Sequence, residues 1–120
     1  MRIVSTCAAT LVGLALTATV AGAQAPDAAK IAAGKKLFNT TDPPCTKCHG
    51  AEGKGKKEKE TLLDGVSARI SPAEIRQWIM DPETMTAKLP KQPKVAMKPV
   101  KLTDPEVDAL VAYLLSLKPR

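Results

Sequence analysis

The stretch Cys45-Thr46-Lys47-Cys48-His49 constrains this chain more than any other. It sets two thiols at C-x-x-C spacing with an imidazole directly after the second. His49 is the only histidine, and the remaining cysteine, Cys7, lies far away in an apolar N-terminal segment. A structural zinc site needs four ligands, and no further Cys or His is at hand to finish one. A thiol–disulfide exchange motif belongs near a βαβ pattern, and no such pattern is visible. A disulfide between Cys45 and Cys48 closes too small a loop to stabilise much.

C-x-x-C-H is the attachment signal for a c-type haem. The spacing follows from the chemistry. The two thiols add across the two vinyl groups of the macrocycle, and the adjacent imidazole reaches the iron as proximal ligand. Cys45, Cys48 and His49 are thus the expected cofactor-binding residues, His49 is the expected metal ligand, and one covalent haem c with its iron is the expected cofactor. A haem-free thiol module is the contrary reading; it predicts no cofactor retained after denaturation.

The N-terminal segment supports export. Met1-Arg2 precedes "IVSTCAATLVGLALTATVAGA", an apolar run ending in small residues, which describes a secretory signal peptide. Ala21-Gly22-Ala23 is the preferred cleavage site, so residues 1–23 are read as signal and residues 24–120 as the domain. An uncleaved membrane anchor is the alternative, since the run is nearly long enough to span a bilayer. Cleavage removes Cys7 and leaves no spare thiol for an oxidising compartment. The expected location is the periplasm, with no stable membrane insertion once the signal is cut.

What remains is one small domain, marginal in size without a staple or cofactor. Phe38, Trp78 and Tyr113 are its only aromatics, so a flat cofactor is well placed to supply apolar area that the side chains lack. Asp27 reads as the cap of a first helix ending near Asn39. Residues 50–70 read as loop. Ser71, Pro72 and Glu74 form a capping box with an Ile70–Ile75 staple, opening a helix that Asp81-Pro82 ends. Four prolines between residues 82 and 102 predict a largely extended loop. Thr103 and Glu106 form a second capping box, with Leu102 and Val107 as its staple. Val107, Leu110, Val111, Leu114 and Leu117 then recur at helical spacing. No stretch alternates at the period of a strand.

With these residues in view, the chain resembles the class I monohaem cytochromes c. The likeness runs through "GKKLF", "CTKCHGAEGKG", "SPAEIRQWIMDP", a Met-bearing Pro-rich loop and "LTDPEVDALVAYLLSL". It implies an all-α fold, a small cytochrome c-like helical bundle around one covalently attached haem. Its first and last helices cross closely: Gly34 and Phe38 match the family's Gly and aromatic, and Leu110 and Tyr113 match their partners. One departure is visible. Many relatives have a Pro after the "CHG" loop, near the carbonyl that accepts the His Nδ1 proton, where this chain has Thr61-Leu62-Leu63. An acceptor is expected, but the sequence does not place it.

The lone histidine excludes bis-histidine ligation within one chain. Met is the usual sixth ligand in the family and raises the potential. Met97, in "PKVAMKPVKLTDPE" ahead of the last helix, is the expected ligand; Met85 is the reserve, and Met80 reads as a core filler. Lys ligation or an open site are the other possibilities.

The resemblance implies electron transfer, with no catalytic residue and no enzymatic activity, as a soluble carrier or as the cytochrome subunit of a redox complex. The alternative is a haem protein with an open sixth site that binds a small ligand or performs redox catalysis. The formal net charge is +6, and signal cleavage would take Arg2 with it. Lys54, Lys56, Lys57 and Lys59 follow the motif, and Lys88, Lys91, Lys94, Lys98 and Lys101 bracket Met97 without an intervening acid. The expected partners are redox proteins with acidic docking surfaces. The first lysine run, interleaved with Glu58 and Glu60, reads equally as a solvated surface. No nucleic-acid motif accompanies the charge.

Overall fold

Asp27 opens the first helix, its carboxylate accepting the Ala29 N–H at 2.9 Å. The computed structural model describes residues 27–56 and 61–120. The signal-peptide reading and Lys57, Glu58, Lys59 and Glu60 lie outside the described residues. Helix α1 spans Ala28–Thr40, α2 Thr46–His49, α3 Pro72–Met80, α4 Pro82–Ala87 and α5 Asp104–Ser116. Short 3₁₀ turns occupy Ala51–Gly53 and Val66–Ala68. Among the described residues there is no strand, and no helix long and apolar enough to cross a membrane. The fold is all-α, as expected.

Both capping boxes read from the sequence are present. Ser71 Oγ accepts the Glu74 N–H at 3.2 Å, while Glu74 accepts the Ser71 N–H at 3.0 Å. Glu106 accepts the Thr103 N–H at 2.8 Å and its hydroxyl at 2.9 Å. Arg76 of α3 donates to Asp104 Oδ1 at 2.6 Å and also pairs with Asp108, tying α3 to the start of α5.

Helices α1 and α5 cross at Gly34. A Cβ there would collide with the Ala109 carbonyl and lie 2.7 Å from Tyr113 Cβ, so only glycine permits this approach. One turn later Phe38 meets Tyr113, with ring centroids 5.4 Å apart and planes tilted by 59°, an edge-biased arrangement worth about 1 kcal/mol beyond burial. The core around this crossing joins Phe38, Val107, Leu110, Tyr113 and Leu114 to Val66, Ile75 and Ile79.

The expectation of a largely extended loop from residue 82 is corrected by α4. Pro82 does not break helix here because it stands at the first helical position, where its missing N–H has no intrahelical partner to lose. Asp81 both ends α3 and caps α4, its carboxylate accepting the Thr84 N–H at 3.1 Å. From residue 91 onward the chain is irregular until α5, as expected.

Candidate functional site

Helix α2 is a single turn entered from Cys45, whose carbonyl accepts the His49 N–H at 2.9 Å. That turn brings Cys45, Cys48 and His49 together. Cys45 is half-buried and packs against the core, whereas Cys48 is exposed, and both thiols are free. Thr41 Oγ1 lies 3.4 Å from Cys45 Sγ. Burial pushes the Cys45 thiol up from its ordinary value, with the Thr41 contact opposing it.

His49 is half-buried, and its Nδ1–H donates to the Thr61 carbonyl at 2.8 Å. A carbonyl can only accept, so Nδ1 carries the proton and the neutral ring keeps its lone pair on Nε2. Burial lowers the His49 pKa, and the bond to Thr61 opposes that shift. The ring is thereby held in the tautomer a metal ligand needs.

The carbonyl comes from residue 61 because the chain doubles back after His49. Gly50, Gly53 and Gly55 all have positive φ. The Gly55 N–H donates to the His49 carbonyl at 2.7 Å, and the Leu63 N–H donates to the Gly53 carbonyl at 2.8 Å. A Cβ on Gly50 would collide with the Gly55 carbonyl. The sequence reading of residues 50–70 as loop covers this reversal without specifying it. The acceptor itself was not legible, because a main-chain oxygen carries no residue signature.

The methionines lie on other segments. Met85 is buried within α4, with Lys88 Nζ 3.7 Å from its sulfur. Met97 is half-buried in the irregular segment before α5, and Met80 is 53% exposed at the end of α3. Met80 lines an open groove of about 470 Å³ with Ile79, Val100, Leu102 and Val107; it is not the core filler the sequence suggested.

Of the two lysine runs, Lys54, Lys56 and the lysines from Lys88 to Lys101 lie among the described residues. Lys54 pairs with Glu52 at 2.8 Å, and Lys35 reaches the same carboxylate at 3.7 Å. Together they hold the Glu52 carboxyl below its usual range. Lys91, Lys94, Lys98 and Lys101 are exposed, and among the described residues none pairs with a carboxylate.

In comparisons with known proteins, the model of the cytochrome c family matches residues 31–118. Searches of curated proteins and of solved structures returned no match. The family match begins in α1, runs through the Cys-Cys-His turn and extends past α5. This chain belongs to the cytochrome c family, whose members bind covalent c-type haem with its iron and carry electrons.

Proposed function

We propose that this protein is a periplasmic monohaem electron carrier in which Cys45 and Cys48 tether the haem, His49 ligates its iron and Met97 completes the coordination. When bound, the haem supplies the one-electron ferric–ferrous couple. The observation that carries the reading is the 2.8 Å bond from His49 Nδ1–H to the Thr61 carbonyl. It leaves Nε2 available on the same turn as two free thiols. This donor set fits c-type haem: two unpaired thiols at the right spacing and a neutral imidazole already oriented by a backbone acceptor.

The chain's own residues have limited tasks in this reading. Cys45, packed on the core, anchors one side of the attachment, and exposed Cys48 the other. Thr61 holds the imidazole in one tautomer. Met97 offers a soft thioether from a segment free of helical constraint, whereas Met85 is already committed to packing in α4. No side chain has to move a proton or attack a substrate.

Lys91, Lys94, Lys98 and Lys101 supply a positive surface around Met97 that steers an acidic redox partner. Such steering weakens as salt screens it.

The test is to express the full chain with a haem-attachment system, denature it and look for retained haem. Retention in the wild type and loss in Cys45→Ala/Cys48→Ala is the expected result. A low-spin ferric spectrum with a Met–iron band supports electron transfer; a high-spin spectrum supports the open-site alternative instead.

A further inference from the structure

The bond that orients His49 depends on a backbone segment distant in sequence, which raises the question of what keeps Thr61 in place. Both sides of that reversal, residues 53–56 and 61–65, touch the segment that follows α5. The Leu117 carbonyl accepts the Gly65 N–H at 2.9 Å. Gly65 has φ +65°, and a Cβ on it would lie 2.9 Å from Pro119 Cβ. A Cβ on Gly53 would lie 3.0 Å from Leu117 Cδ1. The guanidinium of Arg120 then bridges the two sides. Its Nε donates to Asp64 Oδ2 at 2.8 Å, and its Nη2 donates to the Lys54 carbonyl at 3.1 Å. The Asp64 side chain is only 13% exposed while that of Arg120 is 61% exposed, so the guanidinium reaches in from solvent to a carboxylate that is itself largely covered. Arg69 Nη2 donates to the Leu62 carbonyl at 2.6 Å, immediately beside Thr61.

We propose that Arg120 is a positioning residue for His49: by linking Lys54 to Asp64 it holds the chain reversal closed, and so holds the Thr61 carbonyl on Nδ1. The inference rests on the reading of His49 as the iron ligand. The linkage is electrostatic and geometric at once. The guanidinium presents two donors in a fixed fork, so one side chain satisfies an acceptor on each side of the reversal. Arg69 braces the same reversal from within the domain, so losing Arg120 loosens the loop without unfolding it. A looser Thr61 bond makes the imidazole a weaker donor to iron, which disfavours the ferric state and raises the reduction potential.

The experiment uses the haem-loaded full chain and compares wild type, Arg120→Gln and Arg120→Lys. Exchange of the His49 Nδ1 proton with solvent is followed by NMR in the ferrous state, together with the reduction potential. Arg120→Gln is expected to speed that exchange about tenfold, as loss of one charge-assisted bond shifts a local opening equilibrium, and to move the potential upward. Arg120→Lys keeps the charge beside Asp64 but not the fork, and should fall between the two. Unchanged exchange and potential in Arg120→Gln overturn the proposal. The Gly65 amide reads the linkage without reference to iron. If it exchanges faster in Arg120→Gln while His49 does not, the linkage exists but does not position His49, and the proposal fails. Absence of haem-shifted His49 ring signals in the wild type would instead overturn the ligand reading itself.

Discussion

His49 donates its Nδ1 proton to the main-chain oxygen of Thr61 at 2.8 Å, across twelve positions of sequence. A side chain that directly follows the paired cysteines is therefore oriented by a residue from the far side of a loop. The loop closes because three glycines adopt positive φ and because the His49 carbonyl is itself bound by the Gly55 N–H. Imidazole and backbone of the same residue are held by one chain reversal.

Gly50→Ala should break that reversal. The position has φ +73°, and the added Cβ meets the Gly55 carbonyl, which is backbone and cannot step aside. A destabilisation of about 2–3 kcal/mol is expected from the combined strain and overlap. Urea unfolding of the haem-loaded protein would measure it, and a midpoint equal to wild type would show that the loop accommodates the methyl group.

Gly34→Ala sets two effects against each other. Replacing a mid-helix glycine gains about 1 kcal/mol of helix propensity. Overpacking costs about 1–3 kcal/mol, and here the obstacle is the Ala109 backbone together with Tyr113 Cβ at 2.7 Å. The crossing of α1 and α5 must widen, so the net effect is expected to be destabilising. Thermal unfolding decides the sign.

Met97→Ala and Met85→Ala should fail in different ways. Met97→Ala is expected to abolish the Met–iron absorption band, because it removes the proposed sixth ligand. Met85→Ala should keep the band and lose about 2–4 kcal/mol, the cost of emptying a buried site. The reverse pattern would reassign the ligand to Met85.

The acid limb of stability should carry the signature of the helix caps. The Thr103 N–H and hydroxyl hold the Glu106 carboxyl below its usual range, and Ser71 does the same for Glu74. A carboxyl depressed in the folded state stabilises above its unfolded value, about 4.3, and that contribution is lost as pH falls through the lower folded value. Glu106→Gln should lower the thermal midpoint at pH 7 and differ less from wild type near pH 3. A gap that stays constant across this range would remove the carboxylate from the explanation.

Charge reversal on the Met97 segment tests the docking surface. Lys91→Glu/Lys94→Glu/Lys98→Glu should slow electron exchange with an acidic redox protein by about tenfold or more at low salt, and the difference should shrink as ionic strength rises. Equal rates at low salt would leave these lysines as a solubilising surface.

Much of this protein was determined locally and was therefore legible in its sequence. The Cys45–His49 spacing puts two thiols and an imidazole on one helical turn, where the structure has them. The boxes at Ser71 and Thr103 are satisfied within one helical turn, and the apolar period of α5 follows from helix geometry alone. Gly34 and Tyr113 were matched through resemblance, and the close helix crossing agrees. Helix α4 is hidden in the sequence by Pro82, which reads as a breaker although at the first helical position it costs no bond. Only the tertiary structure decided that Thr61 receives the His49 proton, that Met85 is buried in a helix, and that Arg120 spans Lys54 and Asp64. Those relationships depend on loop closure and on main-chain oxygens, which every residue possesses, so spacing along the chain cannot single them out.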